Sequence, residues 1–321
     1  MDNLKKIGVI FMGTPSFAAK ILRVLSENNY NLLSVYTRPD KKNGRNQEIK
    51  KSEVKLSAEK LGLKIFQPER FDKTAIKELK KQKPDLIIVA AYGKILPKSV
   101  LEIPDFGAIN VHASLLPKFR GPSPIQNAIL NGEKETGTTI MLMNEGIDTG
   151  NILSQKKINI GSDEKYPELA EKIALLSCSL LLKTLPLWIN GKIIPLPQSE
   201  KQATYCQLIE RMDGKIIWTD NAEDIYNRYR ALFPWPGVFV YWKKNGSNLR
   251  IKLHKINLIK TEDGNIKNHL IGEVFSLKDK IAVKSGKGAI ILEEIQLEGK
   301  NSVKIGDFIN GYPEFIGSFS E

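Results

Sequence analysis

The sequence predicts an α/β domain built on a doubly wound parallel sheet, followed by a small β-barrel. Two observations carry this expectation. In the first part of the chain, short apolar runs alternate with amphipathic segments. Beyond about residue 207 the helical spacing gives way to closely spaced apolar runs divided by glycine turns. Length agrees, because 321 residues exceed the size at which one hydrophobic core usually stops growing.

The runs 7–11, 32–36, 86–90, 108–112 and 138–143 are short, bounded and largely apolar, the pattern of strands buried on both faces. Between them, 16–28, 53–61, 73–82 and 123–130 have helical spacing. Ser16 or Thr14 is placed to cap the first helix, with Pro15 tolerated in its opening turn. Strand–helix alternation of this kind puts ligands near the C-terminal ends of the strands. Residues 164–189 then form one long helix, open to a break at Pro167 and ended by Asn190-Gly191. Residues 191–206 contain Pro195, Pro197 and Ser199 with little periodicity, the composition of a linker. After it, 237–242, 249–259, 270–275, 280–284 and 289–297 follow one another as strands, with turns at Asn245-Gly246, Asp263-Gly264 and Lys287-Gly288. The expected division is therefore 1–190, a linker 191–206, and a barrel domain 207–321.

Composition narrows the function classes. No run approaches the roughly 18 to 20 unbroken apolar residues of a membrane helix. The first residues lead directly into a strand rather than a signal peptide, so a cytoplasmic protein that does not act at a membrane is expected. The two cysteines and three histidines are too scattered for a metal site, and Cys178 sits in an apolar run as a buried structural thiol. The net charge of +12 suits a polyanionic partner. A general lysine-rich bias would produce the same total, so its placement matters more. Residues 38–64 hold nine basic and four acidic groups, whereas 207–321 hold 17 basic against 15 acidic.

The stretch from Gly107 to Pro117 carries the chemistry. Asn110 and His112 lie two apart on an expected strand, so both side chains leave one face, at the end where an open α/β sheet presents its ligand. An amide beside an imidazole can polarise a carbonyl and move a proton, which acyl transfer to an amine requires. Asp148 lies between Gly146 and Gly150 in an expected turn, where a carboxylate can orient an imidazole. Taken singly, each pattern suits a strand-ending histidine or a turn-forming aspartate better than a catalytic residue. The glycine turn 11–16 lacks G-x-G-x-x-G, and Pro15 removes a backbone donor, which argues against a dinucleotide site.

Together, Asn110, His112, Asp148 and the run Ser114-Leu115-Leu116-Pro117 resemble the signature of the folate-dependent formyltransferases. Residues 90–97, 11–18, 121–126 and Phe233-Pro234-Trp235-Pro236-Gly237 are similar to the branch of that family acting on methionyl-tRNA. The resemblance spans both parts of the chain. It implies a Rossmann-like catalytic domain followed by an OB-like barrel, and 10-formyltetrahydrofolate as donor without a metal. It also implies initiator methionyl-tRNA as acceptor and Asn110, His112 and Asp148 as the catalytic set. Ser114, Leu115, Leu116 and Pro117 would line the folate site through backbone contacts. The basic stretch 38–55 matches a loop that meets the tRNA acceptor end, with Arg45, Lys42, Lys50 and Lys51 as the expected contacts. Here Asn46-Gln47-Glu48 departs from the family's denser Gly/Lys/Pro pattern. A monomer is expected.

Three other readings compete. A formyltransferase for glycinamide ribonucleotide needs no barrel. A sugar-amine formyltransferase can carry one, and the basic loop and the Phe-Pro-Trp-Pro-Gly segment favour tRNA over it. An OB-type RNA-binding protein would have no use for an intact Asn110, His112 and Asp148.

Overall fold

The computed structural model describes residues 6–43, 48–260 and 264–320. By contact density the chain falls into two units. The first comprises Met1–Ile125, Glu135–Asn159 and Glu168–Gln207, and the second Gln126–Lys134, Ile160–Pro167 and Leu208–Glu321.

Alternation within the strands builds the first unit. Its elements in chain order are β1 (Gly8–Gly13), α1 (Ser16–Glu27), β2 (Asn31–Tyr36), β3 (Lys41–Asn43), β4 (Glu48–Lys50), α2 (Glu53–Lys60) and β5 (Ile65–Phe66). These are followed by α3 (Lys73–Lys81), β6 (Leu86–Ala90), α4 (Lys98–Leu101), β7 (Ala108–His112), α5 (Pro124–Leu130), β8 (Glu135–Leu142), β9 (Ile152–Asn159) and α6 (Tyr166–Ile189), of which α5 from Gln126 onward belongs to the second unit. The sheet order is β5-β2-β1-β6-β7-β8-β9. Val9, Phe11, Ile88, Ile109 and Val111 face α1, α2 and α6 in one apolar cluster. Their neighbours Ile10, Met12, Ile87, Val89 and Ala108 join a second cluster with Leu79 of α3 and Val100 of α4. Both faces are covered, so these strands are apolar on both sides. The five strands β5, β2, β1, β6 and β7 run parallel. The sheet is parallel as expected over these five strands, and β8 and β9 add an antiparallel edge. The eight-residue β9 was not anticipated, because its exposed Gln155, Lys156 and Lys157 interrupt the apolar pattern.

Two local expectations also change. The N-cap of α1 is Pro15, without a side-chain cap, while Thr14 Oγ1 donates to the Tyr92 carbonyl 3.0 Å away. Pro167 does not break α6, because it falls in the helix's first turn. Among the described residues, α6 is the one helix long and apolar enough to cross a membrane. Its Cys178, Leu180, Leu181 and Leu185 lie in the core of the first unit.

The stretch expected as a linker is hydrogen-bonded into the first unit. Ile152 and Leu196 exchange backbone bonds at 2.8 and 2.9 Å, and the Arg120 N–H donates to Thr204 O at 2.9 Å. An aperiodic, proline-rich strip satisfies its polar backbone by pairing with its neighbours rather than with itself.

Besides most of α5, the second unit contains α7 (Ala222–Leu232), β10 (Val238–Lys244), β11 (Ser247–Ile259), α8 (Gly264–Lys267), β12 (Val274–Leu277), β13 (Lys280–Lys284), β14 (Ala289–Leu297), β15 (Val303–Lys304) and α9 (Ile305–Gly311). Helix α7 is the main element the sequence reading passed over. Its buried Arg230 donates to Gly161 O and Glu164 O, each at 3.0 Å, and Tyr226 Oη donates to Asp163 at 3.0 Å. Burial pushes the Tyr226 phenol up to about 12. These bonds recruit 160–167 into the second unit. The antiparallel order is β10-β11-β14-β13-β12, with β15 on β14. The gap between the outer strands is spanned by Phe319, bridged to Glu273, and Ser320, bridged to Trp242. The six-stranded sheet curls into a half-barrel. Trp242 of β10 is buried, meeting Phe308, Tyr312 and Phe315 edge-on at 5.1–6.1 Å.

Trp242 is 1% exposed, so Trp242→Ala should cost about 3–5 kcal/mol of stability through lost packing and the cavity left behind. Urea unfolding of the variant against wild type measures this directly.

Candidate active site

The site lies where topology and strand ends coincide. Strand β1 has β2 on one side and β6 on the other, so the sheet switches direction there. The Thr14–Tyr92 bond ties together the loops that follow β1 and β6. Next to them β7 ends in Asn110-Val111-His112. Ile109 and Val111 are held in the core on the α1/α6 side. The two-residue period therefore turns Asn110 and His112 to the other face, as expected. They are 8% and 5% exposed.

Asp148 completes the group. It lies in the turn after β8 with φ +54, a left-handed conformation that aspartate tolerates better than most residues. Its Oδ1 accepts from Asn110 Nδ2 at 3.1 Å, and its Oδ2 lies 3.5 Å from His112 Nδ1. The Gly121 N–H donates to the same Oδ2 at 2.8 Å. On the other side of the ring, His112 Nε2 is 2.9 Å from the Phe119 carbonyl. A carbonyl only accepts, so Nε2 carries a hydrogen. A proton gained at Nδ1 would face the Asp148 carboxylate. The second N–H of the Asn110 amide remains for a substrate oxygen.

The sequence-predicted residues thus come together, with Asn110 hydrogen-bonded to Asp148 and the His112 ring 3.5 Å from its other oxygen. Phe119 and Gly121 escaped the sequence reading because they act through backbone atoms. Their signal is conformational: Phe119 has φ +59 and Gly121 φ +118. Gly121 begins the Gly121-Pro122-Ser123-Pro124 stretch, where such a turn is legible in retrospect. Cys206 lies beside it, its Sγ 3.3 Å from Arg120 O, and burial pushes its thiol up, away from the reactive thiolate.

The expected folate-lining run follows directly, with a cis Leu116–Pro117 bond. Its carbonyl groups already have internal partners. Ser114 O accepts from Thr139 Oγ1 at 2.6 Å, Leu116 O from Gln155 Nε2 at 2.7 Å, and Pro117 O from Thr204 N at 3.2 Å. One lone pair on each is left for a ligand, and the run is held rigid meanwhile.

The expected tRNA loop is a two-stranded ribbon, with β3 antiparallel to β4. Lys55 and Gln67 hydrogen-bond Asp40 before β3, and they hold its carboxyl below the usual carboxylate range. Lys50 is exposed on β4, whereas Lys51 pairs with Glu59 at 2.9 Å. Arg45 and the side chain of Lys42 lie outside the described residues. Among the described residues no group of three or more His, Cys, Asp or Glu is arranged to hold a metal ion.

An amide, an imidazole and a carboxylate are brought together at the end of a parallel strand, groups able to polarise a carbonyl and move a proton. Residues 5–185 match the formyl transferase domain family and 208–313 the formyl transferase C-terminal domain family. The chain belongs to the formyl transferase family. Among its relatives is the methionyl-tRNA formyltransferase of Caldicellulosiruptor saccharolyticus, 42% identical over 95% of this chain and 96% of that one. The methionyl-tRNA formyltransferase of Thermodesulfovibrio yellowstonii is 41% identical over 98% of this chain and 99% of its own. Two solved structures share the fold at low identity. The Helicobacter canadensis N-formyltransferase in complex with folinic acid and dTDP-3-aminofucose superposes with TM-score 0.64 at 21% identity, covering 89% and 98% of the two chains. HypX from Aquifex aeolicus in complex with tetrahydrofolic acid does so with TM-score 0.61 at 16% identity, over 96% of this chain and 48% of that one.

A Cβ on Gly121 would lie 2.4 Å from the Cys206 carbonyl oxygen. Gly121→Ala should therefore move the N–H that holds Asp148 and cut turnover at least about tenfold. It should also cost about 1–3 kcal/mol of stability. Formyl-transfer kinetics together with a thermal melt measure the two effects separately.

Proposed function

We propose that this chain transfers the formyl group of 10-formyltetrahydrofolate to the α-amino group of methionyl-initiator-tRNA, with Asn110, His112 and Asp148 as catalytic residues. The observation that carries the chemistry is the Asn110–Asp148–His112 cluster at the end of β7. The acceptor follows from relatives of that name at about two-fifths identity over nearly the whole chain.

In this reading the neutral methionine amine attacks the formyl carbon. A new C–N bond forms and the carbonyl π pair moves onto oxygen. The free N–H of Asn110 meets the developing oxyanion. The oxygen pair then returns and breaks the bond to the folate nitrogen. The amine gives up one proton and the folate nitrogen takes one, so no net proton is consumed. His112, aligned between Asp148 and the Phe119 carbonyl, is placed to manage that exchange. Ser114, Leu115, Leu116 and Pro117 border the folate side, and the basic stretch 38–55, with Lys42, Arg45, Lys50 and Lys51, meets the tRNA. All three catalytic residues come from one chain, so the site needs no second copy. Both substrates are soluble species of the cytoplasm, where the reading places the reaction.

The test is formyl transfer to methionyl-initiator-tRNA beside uncharged tRNA and a 4-amino sugar nucleotide. Asn110→Ala and His112→Ala should each lower turnover by about 10²-fold while the thermal midpoint holds. Turnover of the sugar alone would keep the chemistry and replace the acceptor. Activity unaffected by either variant would remove the catalytic assignment.

A further inference from the structure

The carboxylate of Asp148 is fixed by Asn110 and Gly121, but its backbone sits in a left-handed turn that needs its own restraint. Gln198 supplies one, from the stretch that composition marks as a linker. Its Nε2 donates to the carbonyls of both Asp148 and Gly150, each at 2.8 Å. Its Oε1 accepts from Arg120 Nε at 3.1 Å and Nη2 at 3.0 Å. Both amide hydrogens and both lone pairs of this side chain are therefore used.

Arg120 is equally committed. Its side chain is 0% exposed. Besides the two bonds to Gln198, it donates to Glu200 Oε1 and Oε2 at 2.8 and 2.9 Å and to Tyr205 Oη at 3.1 Å. These contacts occupy all five donors of the guanidinium. Glu200 is pulled below its ordinary carboxylate range by that hydrogen bond. Arg120 is also the residue between Phe119, which receives His112, and Gly121, which holds Asp148. Backbone bonds zip it to the same strip, from Arg120 N to Thr204 O at 2.9 Å and from Cys206 N to Arg120 O at 2.8 Å.

We propose that Gln198, locked by Arg120, is a positioning residue for the reaction: it fixes the Asp148–Gly150 turn and so sets the carboxylate against His112. This role rests on the formyl-transfer reading above. Gln198 has no part in the bonds made or broken. Its contribution is the difference between a carboxylate held in register and one free to drift, and misplacement of about 1 Å in such a site is costly to rate rather than to binding.

The experiment is steady-state kinetics of Gln198→Ala and Gln198→Glu beside the wild type, varying 10-formyltetrahydrofolate and methionyl-initiator-tRNA in turn. Q198E keeps a counter-group for Arg120 but sets oxygen against the two carbonyl oxygens, so it stays informative if Q198A melts early. Both variants should lose about tenfold or more in kcat, with each KM within about twofold of wild type. In an Asp148→Asn background, Q198A should slow the reaction no further, because two residues acting through one group are not additive. Unchanged kcat, or a raised KM with kcat intact, would overturn the assignment. So would a full, multiplicative loss in the Asp148→Asn background, which would mark Gln198 as acting elsewhere. A wild-type enzyme that transfers no formyl group would instead sink the reading itself, and the positioning role with it.

Discussion

The candidate site depends on the segment Phe119 to Gly121, two of whose residues stand in a conformation that most sequences avoid. Departures from ordinary φ on either side of Arg120, +59 at Phe119 and +118 at Gly121, turn a carbonyl toward His112 and an N–H toward Asp148. A backbone acceptor and a backbone donor, with Arg120 between them, thus grip the two ends of the His112–Asp148 pair. Such a turn is unfavourable in isolation and survives because the buried side chain between them is fully hydrogen-bonded. The rigidity of the site is paid for by burying a guanidinium, and an unpartnered guanidinium in that place would be far costlier.

Much of this architecture was legible in the chain. Strands β6 and β7 fall where apolar runs place them, and the two-residue period puts Asn110 and His112 on one face without any structural help. Asp148 was legible as a carboxylate in a glycine-bounded turn. Its hydrogen bond to Asn110 spans 38 residues, and its contact with His112 fewer. What eluded the sequence was of two kinds. Elements with mixed polarity, β9 and α7, lacked a clean apolar stripe, because α7 buries Asn227 and Arg230 alongside its apolar residues. Contacts of long separation left no local trace: Arg120 and Gln198 are 78 residues apart, and nothing in Pro195-Leu196-Pro197-Gln198 announces a partner.

The strip 191–206 shows why composition misleads there. Proline and the absence of periodicity signal a chain that forms no helix or regular strand, and that inference holds over most of the strip. It does not follow that the chain is loose. Extended backbone with its donors and acceptors pointing outward suits lateral pairing, and here it is stitched to Ile152, Pro117 and Arg120.

The interleaving of the two units bears on how such enzymes diversify. A recombination event joining a foreign barrel at residue 207 would leave 126–134 and 160–167 behind in the host sequence. The incoming helix corresponding to α7 would then present a buried cation to carbonyls it had not evolved to meet, as Arg230 now meets Gly161 and Glu164. Exchange of the second unit at that junction is accordingly a matter of co-inheriting three separate stretches of chain, which favours gradual divergence of the whole polypeptide over modular shuffling.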